Sequence, residues 1–381
     1  MKINIQRSQL NSAVQQVSKA ISSRTTAPIL SGIKIEAYDF GVKLTASDAD
    51  LSIESFIPAE IERKIVIKVT KTGSIVVPAK FFIEMIRKLS SDDVSLEVNE
   101  RLQLNIKSGS TDIVLACMDA EEYPIMPRLS ETNMMSISNH LLQHMVRQVV
   151  FAVSTNESTP VLTGVLWTLS EETLKLVATD RHRLAKISNK VTGSNFEFSN
   201  IVISGKNLNE LLKVLPEEDE IVDIIISENQ VLFRVNQLLI YSRTLDGTFP
   251  DTSKIIPQNF KTEISFDTKK LADAIDRAYV LSREDKSNIV KIITETDGSN
   301  QVEISSTSTE LGKVTEWIDF EKFSGEALRI SFNSKYILEV LKIINSKYIH
   351  IGFTGAMSPM VLRPQTGYDT LHLILPYRTA T

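Results

Sequence analysis

With 381 residues, of which 42% are hydrophobic and 23% charged, the chain has room for two or three domains, each burying its own core. No apolar run approaches the roughly 18 to 20 residues that cross a bilayer, and MKINIQRSQL lacks the apolar stretch of a signal peptide, so a cytoplasmic location without membrane contact is expected. A net charge of −5 argues against a uniformly basic nucleic-acid binder, and Cys117, the single cysteine, excludes an intrachain disulfide.

Taken in chain order, the first element is a helix whose apolar residues Leu10, Ala13, Val14 and Val17 follow the i, i+3, i+4, i+7 spacing of one buried stripe. The same spacing returns in Phe82, Met85, Ile86 and Leu89, in Leu142, Met145, Val146 and Val149, and in Leu208, Leu211, Leu212 and Leu215. It returns again in Leu271, Ala274, Ile275 and Ala278, and last in Ile337, Val340, Leu341 and Ile344. Between these helices run short strands of period two, such as GVKLTASD, TLKLVATD and QVLFRV; IVLACMD places Cys117 at a buried strand position. The period, near 130 residues, is too long for a solenoid, so one α+β domain occurs as three tandem copies, each with two helices plus antiparallel strands. Polar stretches RLSETN and KIIPQNFKTE place the boundaries at 1–129, 130–257 and 258–381. The copies match in detail: LTASDADLSI, LVATDRHRLA and ISSTSTELGK align as one strand end.

Charge is distributed unevenly. The six helical segments sum to +10, which leaves −15 on the rest of the chain. Helices on one side and strands on the other would present a basic face suited to diffuse, sequence-blind contact with a polyanion.

Motifs for chemistry are mostly missing. Neither a P-loop nor a G-x-G-x-x-G occurs, Gly352 to Gly355 reads as a turn, and His140 and His144 lack the glutamate and third ligand of a helical zinc site, so neither cofactor nor metal is expected. The best catalytic candidate is Asp180, Arg181, His182 and Arg183; on an alternating strand Asp180 and His182 would share one face and the arginines the other. With no activated nucleophile nearby, a hydrolase reading stays an alternative, as does a monomeric protein-interaction scaffold.

Three tandem copies, A-T-D-x-H-R-L-A, L-D-G-x-F-P-D-T, the ISFNSKY helix start and the closing L-I-L-P-x-R together resemble the bacterial DNA polymerase III β subunit family, the replicative sliding clamps, of low-GC Gram-positive type; RTTAPILSGIKIE and STPVLTGVLW fit as well. The resemblance runs the full length. It implies a non-catalytic processivity factor: a homodimeric six-domain ring, of which this chain is half, around double-stranded DNA. Its partners would be the replicative polymerase α-type subunit, the clamp loader, and mismatch-repair and translesion polymerases. Carried over by position, Leu162, Thr179, His182, Leu184, Pro250, Ile255, Leu373 and Leu375 would line a peptide pocket, and Asn333, Tyr336, Pro359, Met360, Pro376 and Tyr377 an adjoining groove, with Arg183 supporting the rim. Arg24 and Asn156 would touch DNA, and Ile113 and Leu115 would meet Val280 and Leu281 of a second protomer. Three positions depart from the family pattern: Thr159 where related clamps often have Arg, Arg181 for a usually small residue, and Tyr377 for Met or Ile.

Overall fold

A computed structural model describes the chain except residues 23–26, 127–128, 192, 193, 195, 285–286, 295–298, 309, 366 and 379–381. Among the described residues six α-helices form where the apolar spacing places them: α1 Arg7–Val17, α2 Ala79–Lys88, α3 Asn139–Val149, α4 Gly205–Val214, α5 Thr268–Glu284 and α6 Ser334–Ile343. Of the apolar stripes, only Met85 and Leu212 fall short of burial; Leu89, Leu215 and Ile344 are buried just beyond their helices. Among the described residues no helix is long and apolar enough to cross a membrane.

Backbone packing divides the chain into two compact units, Met1–His140 with Thr192–Phe196 and Lys206–Thr244, and Leu141–Val191 with Glu197–Gly205 and Leu245–Thr381. The division differs from three copies because the sheets cross from one copy to the next. In the first unit, strands Gly73–Pro78, Gly32–Tyr38, Gly41–Ser47 and Leu51–Pro58 of the first copy continue, by pairing of Leu51–Pro58 with Leu238–Arg243, into Gln230–Val235, Ile221–Ile226 and Met134–Ser138 of the second. Every pair is antiparallel, and Ile53 faces Ile240 at the junction. A separate five-stranded sheet of the first copy ends on Thr111–Ala116.

The second unit repeats the scheme. Phe198–Ser204, Gly164–Ser170, Thr173–Thr179 and Arg183–Lys190 continue, by pairing of Arg183–Lys190 with Asp369–Ile374, into Met360–Pro364, Tyr348–Phe353, Thr262–Asp267 and Lys322–Gly325. The separate four-stranded sheet of the third copy ends on Gly312–Asp319. Gly32 and Gly164 occupy matching places where adjacent strands crowd together: an added Cβ would lie 2.4 Å from a Val76 methyl and 2.6 Å from a Val202 methyl, respectively.

The third copy's core gathers α5, α6 and their sheets around Phe266, Phe332 and Phe353. His372 is wholly enclosed, its ring 5.7 Å from that of Phe151 and its Nε2 3.3 Å from the Gln148 amide oxygen. Burial pushes its pKa down to about 3, so it is held neutral.

Candidate functional site

The repeated strand end is a turn in all three copies. Asp48 accepts from the N–H groups of Asp50 and Leu51, Asp180 from those of His182 and Arg183, and the Ser308 hydroxyl from those of Glu310 and Leu311. A short oxygen-bearing side chain at this place satisfies two backbone donors that no ladder reaches. The alternation expected over 180–183 is therefore broken: one strand stops at Thr179, the next starts at Arg183, and Arg181 between them takes a positive φ of 76°. Ala49, its counterpart in the first copy, does the same at 78°.

Asp180 is consumed by structure. Its second oxygen accepts from Arg183 Nε at 2.9 Å, and Arg183 also pairs with Glu339 of α6 and donates to the Phe151 carbonyl at 2.7 Å. The guanidinium lies 4.5 Å from the Tyr336 ring centre and 5.3 Å from that of Phe151. Thr179 donates its hydroxyl to the Arg183 carbonyl at 2.6 Å, and the Leu375 N–H donates to the His182 carbonyl. Arg183 thus ties the turn to α6, while His182 stays exposed with its ring stacked near Tyr336, at 6.4 Å. Burial, and after it the Asp180 charge, raise the Tyr336 phenol above its ordinary pKa.

Around this turn opens a cavity of about 350 Å³, lined among others by Leu162, Thr159, Asn156, Arg181, His182, Arg183, Lys335 and Tyr336. Leu162, Leu184 and Leu373 belong to one apolar cluster with Val161, Val177, Phe249 and Val361, which lies against the cavity through Leu162. Thr179 is buried beside it, and Leu184 and Leu373 are 1% exposed, so they support the floor from below. Of the remaining expected residues, Pro250, Ile255, Leu375 and Tyr377 are exposed, and Pro359 and Pro376 half-buried. Asn333 caps α6 through its side chain, which accepts from the Lys335 N–H. Of the expected groove residues only Tyr336 lines the cavity, and Met360 does not fit the groove expectation. It is fully buried in the third copy's core, packed where the Met360–Pro364 strand pairs with Asp369–Ile374, and has no surface to offer a ligand. Two of the three positions that depart from the family pattern prove to be partners: Arg181 Nη2 donates to the Thr159 hydroxyl at 2.9 Å. Separate sequence positions gave no sign of that pairing.

Asn156 lies at the mouth of the same cavity, and its amide oxygen accepts from the Ser158 N–H. Arg24 lies outside the described residues. Ile113 and Leu115 are half-buried on the terminal strand Thr111–Ala116, whose Val114 is 58% exposed, and on α5 Val280 is 51% exposed and Leu281 half-buried. Cys117 is half-buried just past that strand, contrary to the buried strand position expected of it; burial raises its thiol pKa. His140 bonds the Glu217 carbonyl and the His144 ring packs at a tilt against Tyr368, centroids 4.5 Å apart; among the described residues no group of three His, Cys, Asp or Glu could hold a metal. A larger hollow of about 440 Å³ in the first unit, between α1 and the Leu51–Pro58 strand, is lined by no ionisable side chain. The cavity at Arg181 joins an apolar floor to the cations Arg181 and Lys335.

Family models for the DNA polymerase III β subunit match in chain order: the N-terminal domain over residues 1–127, the central domain over 136–251 and the C-terminal domain over 253–378. The beta sliding clamp of Bacillus subtilis (strain 168) is 46% identical over 379 residues, covering 100% of both chains. Among solved structures, the DNA polymerase sliding clamp of Bacillus subtilis superposes with a TM-score of 0.96 at 46% identity, and the DNA polymerase III β subunit of Thermotoga maritima with 0.90 at 27%, each covering 100% of both chains. With all three domain types matched in order along one α+β chain, the protein belongs to the DNA polymerase III β subunit family.

Proposed function

We propose that two copies of this chain close head to tail into a six-domain ring around duplex DNA, and that the cavity beside Arg183 docks the replicative polymerase, the clamp loader and repair proteins by short peptide segments. The observation that carries the ring is the pairing rule of the sheets. Twice within the chain, the strand following the repeated turn pairs with the last strand of another half-domain: Leu51–Pro58 with Leu238–Arg243, and Arg183–Lys190 with Asp369–Ile374. The two strands left over, Gly312–Asp319 and Thr111–Ala116, are terminal in their own sheets. An unpaired edge is a template for another strand, and joining these two edges between protomers closes a ring with none left.

The register follows too. Leu51 faces Ser242 and Arg183 faces Ile374, so by the alignment of the copies Leu311 faces Leu115 of the second protomer, and Lys313 faces Ile113. Leu311, at 60% exposure, and Val114 are apolar surface that such a joint would cover. The six helices as folded carry a net charge of +7, part of the +10 of the longer helical segments of the sequence, which supports diffuse phosphate contact, and a closed ring holds DNA by topology rather than affinity. No catalytic step is assigned to Asp180 or His182, and no cofactor is needed.

The decisive measurement loads the protein on nicked circular DNA with a clamp loader and ATP, then linearises the circle. Rapid loss of protein from the cut DNA is expected; retention, or a monomer at micromolar concentration by sedimentation, would refute the ring.

A further inference from the structure

We propose that Arg181 reads a carboxylate on the docked segment, so that preferred partners place an aspartate or glutamate beside their apolar anchor; this rests on the docking reading above. Arg181, Lys335 and Leu162 line the same cavity. The arginine two positions after Arg181 is spent: Arg183 is 9% exposed and neutralised by Asp180 and Glu339. Arg181 is exposed and, among the described residues, forms no ion pair. Its side-chain bond goes to the Thr159 hydroxyl, which fixes the guanidinium over the opening and leaves most of its five N–H donors free. Lys335 is likewise exposed, and among the described residues it forms no ion pair.

Backbone strain points the same way. At φ 76° a glycine would sit without cost, whereas a long side chain there is held in a sparsely populated region. The local turn does not require arginine, since Ala49 forms the same turn in the first copy. The apolar floor under Leu162 calls for a peptide side chain, and a phosphate backbone has nothing to put there.

The test uses the full-length protein and two fluorescent peptides of one sequence, each with a Leu-Phe anchor pair, differing only by Asp or Asn next to it. Anisotropy at 50 mM salt should show the Asp peptide binding about fivefold tighter, as expected for one exposed charge-assisted pair. In R181G, which removes the strained side chain, that ratio should fall to one, and in R181K it should be partly retained. Equal binding of both peptides to the unaltered protein overturns the inference while leaving the docking reading intact; binding of neither overturns the docking reading itself. If R181G weakens both peptides by the same factor, Arg181 shapes the cavity and does not read charge. If a short DNA duplex displaces the peptide from the unaltered protein but not from R181G, the guanidinium reads phosphate, and the inference also fails.

Discussion

Replacing Arg183 by alanine tests whether the turn, α6 and the cavity rim form one electrostatic unit. The Arg183, Asp180 and Glu339 side chains are 10%, 12% and 28% exposed, so removing the guanidinium strands two carboxylates with little water around them. Breaking a buried pair in this way costs about 3–5 kcal/mol, and the partial exposure of Glu339 puts the value near the lower end. Asp180 keeps its two backbone donors, so Glu339 bears most of the loss. Losing the stack on Tyr336 adds about 1 kcal/mol. The sum corresponds to a fall in Tm of roughly 8–16 °C for a unit of this size, read by near-UV circular dichroism on heating. Adding Glu339→Ala should then recover stability, because it removes the stranded charge. Arg183→Ala within 1 kcal/mol of the unaltered protein, or a double variant whose losses simply add, would refute the reasoning.

Two further outcomes follow from the edges and the core. Leu115→Cys with Leu311→Cys, in a Cys117→Ser background, should crosslink two protomers under mild oxidation; either single variant should not, and a crosslink confined to monomers would disprove the register. His372 is neutral in the fold with its pKa near 3, against roughly 6.5 when unfolded, so the unfolded chain takes up the proton first as pH falls. Its contribution is complete above pH 6.5 and declines below it, by on the order of 1 kcal/mol per pH unit, until about pH 3. Urea midpoints of the unaltered protein and His372→Gln should therefore converge on acidification, and parallel curves would rule this out.

The helices were legible because the i, i+3, i+4, i+7 spacing is local: Leu142, Met145, Val146 and Val149 are all fully buried. Strands shared between copies were not legible, because pairs such as Ile53 with Ile240 depend on residues nearly half the chain apart. Over 180–183, alternation of residue types suggested a strand, but the competing turn prevailed once Asp180 could cap two backbone donors. Burial of Met360 followed from its place on a strand inside the sheet, between Tyr348–Phe353 and Asp369–Ile374, with its side chain in the third copy's core, which a positional carry-over cannot reveal. Leu162 and Tyr336 reached the cavity because they sit on the fixed elements around it, namely the short helical turn Pro160–Thr163 and the first turn of α6.

Why the second unit carries this cavity follows from comparing the same place in the first. There the aspartate of the turn, Asp48, is reached from α4: Lys206 pairs with it at 2.8 Å, and Asn207 donates to the Asp50 carbonyl and to the Ser242 hydroxyl. The helix thus closes down on the turn through a lysine and an asparagine. In the second unit α6 carries Lys335 and Tyr336 at the corresponding positions, and Asp180 is already held by Arg183, which the first copy replaces with Leu51. Among the described residues Lys335 therefore pairs with no carboxylate, Asp180 being held by Arg183, and the Tyr336 ring lies over Arg183. One exchange at the strand start, leucine to arginine, diverts the aspartate from the helix to its own strand and leaves the space between them open. The opening costs an unpaired lysine and a strained Arg181, and both face the cavity in which a partner's charge would offset them.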